Sequence, residues 1–138
     1  MKKKFGDYVI SDDKSLLSID RIYDMLSKTY WGKNRAKEVQ EAAINNSVNY
    51  GVYYNNKLVG YARVVTDYAT MFWLCDVIVS GEHRGKGIGK NLVECIVNSD
   101  EFKDKLGILM TKDAHGLYEK YGFISNPQNS MCKPLKKD

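Results

Sequence analysis

Histidine is scarce in this sequence, and the two present, His83 and His115, stand far apart without cysteine or carboxylate partners at ligand spacing, so no metal centre is expected. Cysteine is limited to Cys75, Cys95 and Cys132, an odd number with no CxxC pair. Cys75 and Cys95 lie in apolar runs where a reduced thiol packs as a small hydrophobe, which points to a reducing, cytoplasmic compartment rather than a disulfide framework. Two prolines beside 11 glycines, with 43% hydrophobic and 28% charged residues, exclude the collagenous and disordered classes. No apolar run is long enough for a membrane span. Behind the basic start Met1-Lys2-Lys3-Lys4-Phe5, the residues Gly6-Asp7 and Ser11-Asp12-Asp13 break the apolar stretch an export signal requires. A basic face is missing too: the net charge is +4, but Lys2, Lys3, Lys4, Lys133, Lys136 and Lys137 sit at the two ends and leave the body near neutrality, which argues against a nucleic-acid partner.

What is present is a chain of 138 residues, read as one domain over 1–138 that can bury a core. Ile19, Ile22, Tyr23, Leu26 and Tyr30 recur at helical spacing after a capping Ser18, predicting a helix over 18–30, and a second helix is expected over 35–46. The period then becomes that of strands. Residues 48–54 and 58–65 flank the turn Asn55-Asn56-Lys57 as a hairpin, and 71–79 is a nearly unbroken apolar run expected to be a central strand covered on both faces. Its one charge is Asp76. A glycine loop, a helix ending near Asn98 and a short strand over 107–110 complete a crossover, so that last strand is expected to run parallel to its partner. Asp113 is expected to cap a last helix over 114–121, and a tail carrying Pro127 and Pro134 holds at most two short strands. Elements in this order give an α+β sandwich.

The loop Arg84-Gly85-Lys86-Gly87-Ile88-Gly89 lies where a strand gives way to a helix. Three bare glycine backbones at a helix N-terminus let amide N–H groups converge on an anion, and Arg84, Lys86 and Lys90 add positive charge suited to a phosphate. A tight turn with solvated basic residues is the plain alternative. The GxxxxGK[ST] motif is absent, and the loop comes too late for a dinucleotide fingerprint.

Arg84, Gly87 and Gly89 after Val77-Ile78-Val79, followed by Ala114, Leu117-Tyr118 and Gly122-Phe123, resemble the two signatures of the GNAT superfamily of acetyl-CoA-dependent N-acetyltransferases. The likeness extends over nearly the whole chain and is that of a bacterial-type single-domain member. It implies a mixed, mostly antiparallel sheet with a parallel pair at the splay that receives the cofactor, flanked by about four helices. By the same resemblance, the amides from Arg84 through Gly85, Lys86, Gly87, Ile88 and Gly89 bind the pyrophosphate of coenzyme A, and Val77, Ile78 and Val79 pair with its pantetheine arm. Tyr118 matches the tyrosine that protonates the departing thiolate. Thr111 stands where the family often has a cofactor-binding Asn, a departure that removes one expected hydrogen bond. The acceptor site falls to the stretch Tyr30 to Arg35, where Trp31 and Arg35 would suit an amine carrying a carboxylate or a ring; a helix staple and a helix start are equally open for them. A homodimer is also implied, because exposed tail strands of such folds often pair between subunits.

Acetyl transfer to an amine needs a neutral nucleophile, a stabilised oxyanion and a proton for sulfur. Asp76 is the leading candidate base, since desolvation in an apolar strand is expected to raise its pKa; a buried Asp tied to backbone N–H groups is the alternative. Backbone N–H near Ile78 is placed by analogy at the oxyanion. His115 shares a helix face with Tyr118 and is a candidate substrate contact or second base, a solvated histidine being the plain alternative. The reading is an N-acetyltransferase acting on a primary amine, leaning to a small molecule, without metal, membrane or nucleic acid. A protein N-terminus or lysine as acceptor, an acetyl-CoA-binding module without turnover and an unrelated phosphate-binding module are the competing readings.

Overall fold

The structure is a computed structural model that describes residues 1–126 and 128–136; Pro127, Lys137 and Asp138 lie outside them. Six strands form one sheet in sequence order, β1 (Lys2–Phe5), β2 (Tyr8–Ser11), β3 (Val48–Tyr54), β4 (Lys57–Thr66), β5 (Met71–Val79) and β6 (Leu106–Ile108). Neighbours are antiparallel except β5 and β6, which run parallel and meet only at Met71↔Leu106, Phe72↔Gly107 and Trp73↔Ile108. Helices α1 (Ile19–Ser27) and α2 (Lys37–Asn45) precede β3, α3 (Ile88–Val97) links β5 to β6, and α4 (His115–Glu119) follows β6. Among the described residues no helix is long and apolar enough to cross a membrane.

The helices lie on both sides of the sheet because each presents one apolar stripe. Ile88, Leu92, Val93 and Ile96 of α3 pack with Val52, Ala62, Val64, Phe72 and Leu74 of the sheet and with Phe102 from the link to β6. On the other side Ile22, Met25 and Leu26 of α1 and Ile44 of α2 pack with Tyr53, Leu58, Tyr61 and Ile78. Ser18 caps α1 by accepting the Arg21 amide at 3.2 Å, as its position suggests. The helix stops at Ser27 rather than near Tyr30, because Thr29 folds back to donate to the Leu26 carbonyl and accepts the Gly32 amide, closing a turn.

Several expectations need correction. The N-terminal hairpin of β1 and β2, turned at Gly6 with φ of 53°, was not foreseen; its Lys2, Lys3 and Lys4 occupy an edge strand, where lysine discourages pairing with other chains. β5 is buried on alternate residues instead of on both faces, and Trp73 remains 37% exposed, because α1 covers only the end of the strand near Ile78. The N-cap of α4 is Ala114, without a side-chain bond, so Asp113 does not cap it; Thr111 Oγ1 accepts the Ala114 amide at 3.0 Å. α4 ends at Glu119, two residues early. Within 124–126 and 128–136 the tail forms no strand, consistent with its run of polar residues, and expectations that involve Pro127 fall outside the described residues.

Phe102 is 1% exposed and tilts against Phe72 with ring centroids 5.1 Å apart, bridging the crossover to the sheet. Phe102→Ala is expected to lower stability by about 3–5 kcal/mol, read as a shift of the urea midpoint; an unchanged midpoint would show that the crossover packs without it.

Candidate active site

In β5, Ile78 pairs with Tyr61 and Cys75 with Arg63, so Asp76 and Val77 together oppose the single residue Ala62. This is a β-bulge, and Asp76 takes the left-handed backbone conformation, φ 51°, that Asp tolerates better than most side chains. One extra residue reverses the alternation of the strand. Phe72 and Leu74 face the α3 side before the bulge; Val77 and Val79 face it afterwards, and Ile78 turns to α1. Because β6 stops pairing at Trp73, the segment Val77–Val79 has β4 on one edge and no strand on the other. A cleft of about 340 Å³ opens there, lined by Val77, Ile78, Val79, Lys28, Thr29, Tyr30, Trp31, Arg84 and Asp113.

The glycine loop follows at once. Gly85 and Gly87 have φ of 79° and 78°, a region that side chains rarely enter, and a Cβ added at Gly85 meets nothing within 4 Å, so conformation and not packing demands glycine. Gly87 caps α3 without a side-chain bond, and among the described residues the amides from Gly85 to Lys90 meet no acceptor. Positive-φ glycines before a ten-residue helix leave a concave set of free N–H donors, with Arg84, Lys86 and Lys90 around it. Such a nest fits a pyrophosphate.

Asp76 is 7% exposed, and both its oxygens are taken. Trp31 Nε1 donates to Oδ1 at 3.2 Å, while Arg35 Nη1 and Arg63 Nε each donate to Oδ2 at 2.9 Å. The network continues from Arg35 to Gln40 Oε1 at 2.8 Å and from Arg63 to Ser47 Oγ at 3.2 Å. Burial alone pushes the Asp76 carboxyl up, but the Arg63 charge and the bonds from Arg35 and Arg63 outweigh it and hold the group below the ordinary carboxylate value. The expected upward shift is therefore reversed, and the partners are side chains instead of backbone amides.

The sequence-derived residues divide accordingly. Trp31, Arg35 and Asp76 come together, and Trp31, Val77, Ile78, Val79 and Arg84 share the cleft. Tyr118 is half-buried, edge-on to Phe123 at 6.0 Å; burial, and then Tyr30 and Asp113, push its hydroxyl above the ordinary tyrosine value, and it is not itself a lining residue of the cleft. Thr111 closes the turn before α4, and His115 is exposed at the start of that helix; neither lines the cleft. Tyr30 fell within the predicted acceptor stretch without being singled out, and Asp113 and Arg63 were not assigned to the site. Tyr30 packs edge-on against Trp31 at 5.1 Å, accepts the Lys112 amide at 3.3 Å and lies under the Lys112 ammonium at 5.5 Å, closing one wall of the cleft. For Arg63 a signal existed: a lone cation in one apolar strand and a lone anion in the next. Among the described residues no group of three or more His, Cys, Asp or Glu could hold a metal ion.

The sequence model of the acetyltransferase (GNAT) family matches residues 19–123. The chain is similar to a Xanthomonas campestris pv. campestris protein assigned to that family, at 36% identity and a TM-score of 0.89 over 96% of each chain. It is 25% identical over 132 residues to the uncharacterized N-acetyltransferase ycf52 of Pyropia yezoensis, covering 91% of this chain and 75% of that one. A predicted acetyltransferase of Clostridium acetobutylicum, solved with acetyl-CoA, shares the fold with a TM-score of 0.66 at 16% identity over 96% of each chain.

Removing the charge of Asp76 leaves Arg35 and Arg63 uncompensated, so Asp76→Asn is expected to lower stability by about 3 kcal/mol at neutral pH. Since the folded-state pKa lies below the unfolded value, this contribution is fully present above pH ~4 and disappears as pH falls through the folded value. Thermal melts of the two proteins should converge in acid; a gap independent of pH would point to lost packing instead.

Proposed function

The chain belongs to the acetyltransferase (GNAT) family and is an acyltransferase, and from that premise we propose that it moves the acetyl group of acetyl-CoA to a primary amine of a small molecule by direct attack in a ternary complex. The observation that carries this reading is the parting of β5 from β6 ahead of the bulge, with a free strand edge, a glycine nest and a cleft in succession. The nest at Gly85–Gly89 takes the pyrophosphate, with Arg84 and Lys86 as counter-charge. The open edge of Val77–Val79 receives the amide-bearing pantetheine arm as an added strand would be received. This directs the thioester toward Ile78, whose backbone N–H is the donor for the oxyanion.

Asp113 is the one carboxylate among the residues lining the cleft, and it meets the acceptor as an ammonium and takes its proton. The neutral amine attacks the thioester carbon, the adduct nitrogen releases its extra proton to water as the C–S bond breaks, and Tyr118 protonates the departing sulfur and regains a proton from solvent. Burial keeps the Tyr118 proton in place at neutral and mildly alkaline pH, as an acid requires. Asp76 is a positioning residue on this reading: buried and bonded by three side-chain donors through both oxygens, it holds the bulge and the Trp31 wall. An aromatic wall of Tyr30 and Trp31 in a cleft of about 340 Å³ suits a small acceptor. A reducing, cytoplasmic setting accords with Cys75, Cys95 and Cys132 being free.

Calorimetric titration with acetyl-CoA, with coenzyme A and ATP as controls, should give selective binding of the coenzyme A species that is lost in Gly87→Trp. Nonselective binding would reduce the loop to a generic anion site. Tyr118→Phe is expected to lower kcat in a thiol-release assay by about 10² or more while the Kd for acetyl-CoA stays within about twofold. Full turnover in that variant would remove Tyr118 from the role of acid.

A further inference from the structure

The residue just before the nest is tied to a distant part of the chain. His83 ends a short 3-10 turn, Gly81–His83, and its Nδ1 shares a hydrogen bond of 3.0 Å with the hydroxyl of Tyr8 on β2, 75 positions away in sequence. The imidazole is flanked by the Tyr8 ring, edge-on at 5.7 Å, and by the Tyr54 ring at 5.2 Å, and Phe5 stacks behind Tyr8 at 5.3 Å. Tyr8 and Tyr54 are paired across β2 and β3, so the sheet itself fixes the two rings that hold the histidine.

The loop has few other polar restraints before Ile88 enters the core. Gly81, Gly85, Gly87 and Gly89 give it backbone freedom, and two of them sit at positive φ. Ser80 N–H donates to the Val59 carbonyl at 2.8 Å at its start, and Asn91 Nδ2 donates to the Gly87 carbonyl at 2.7 Å at its end. Between these points Arg84 reaches only back to the Val79 carbonyl, at 3.4 Å, and the remaining bonds are local. Ile88 anchors the far end of the loop by packing against β3 and β4, and among the described residues the bond from His83 is the one side-chain hydrogen bond from this stretch to a strand other than its own. A glycine-rich loop released at that point samples conformers in which its amides no longer converge.

We infer that His83 is a positioning residue that latches the pyrophosphate nest to the N-terminal hairpin through Tyr8, setting affinity for acetyl-CoA while taking no part in acyl transfer. The inference rests on the reading that the Arg84–Gly89 loop holds the pyrophosphate. It gives the N-terminal hairpin a role in binding, although no residue of that hairpin lines the cleft.

The geometry supplies a discriminating test, because an Asn side chain places a polar atom where Nδ1 stands and a Gln side chain places one where Nε2 stands. His83→Asn should retain the bond to Tyr8; His83→Gln and Tyr8→Phe should lose it. Losing one such bond is expected to raise the Kd and KM for acetyl-CoA about three- to tenfold, with kcat at saturation and the acceptor KM within twofold. His83→Asn should stay within twofold of the wild type in all four quantities. The double variant His83→Gln with Tyr8→Phe should be no weaker than either alone, since both remove the same bond. Tyr8→Phe removes one oxygen from a ring that stays packed, and its melting temperature controls for folding. Equal loss in the Asn and Gln variants, additive losses in the double variant, a fall in kcat at constant KM, or unchanged affinity in Tyr8→Phe would each overturn the latch. If instead Gly87→Trp leaves acetyl-CoA binding intact, the assignment of the nest fails, and the latch fails with it.

Discussion

A carboxylate taken out of water must be compensated where it stands, and most of the cleft is arranged around one such group. Asp76 sits in the middle of an apolar strand, where an isolated charge would cost several kcal/mol. Arg35, Arg63 and Trp31 converge on it from the α1–α2 connection and from β4. The same residue carries the left-handed turn of the bulge, so one side chain fixes the backbone of β5 and the segment that walls the cleft. Charge compensation and backbone geometry here are a single constraint: the arginines can reach the carboxylate only if the strand is bulged.

The sheet opens ahead of the bulge. A regular β5 would keep one parity along its length. The two strands are joined over three rungs only, and the residue inserted beyond them changes the parity of the part of β5 that β6 no longer covers. The fold thereby has an exposed strand edge inside a cleft, next to a loop whose amides are likewise unpaired.

Much of this was legible in the sequence. Strand and helix periodicity from Val48 to Val97 located β3, β4, β5 and α3 to within a residue or two, because long runs of one period bury one face. The glycine loop was legible because φ near 80° selects its residue type. The N-terminal hairpin was not: Lys2, Lys3 and Lys4 mask the alternation, and only Tyr8, Ile10 and Ser11 are buried. The bulge was hidden as well, since an unbroken apolar run looks the same with or without a change of parity. The lone charge of Asp76 was visible, but its pKa direction depended on Arg63 and Arg35, which are distant in sequence and adjacent only once the strands pair. Tyr30 and Asp113 gave no local signal, since their importance comes from meeting across a cleft that the chain closes from three separate segments.

That threefold origin bears on how such a protein diversifies. On the proposed reading, the contacts that hold the donor's pyrophosphate and pantetheine arm are encoded between Val77 and Gly89, a short contiguous stretch braced by the sheet. The walls facing the acceptor come from the connection after α1 and from the segment before α4, which lie outside the regular elements. Substitutions in those two segments can reshape what enters the cleft without altering the bulge, the nest or the strand edge. Acceptor selectivity and donor binding are written in different parts of the chain, and the first can drift while the second stays fixed.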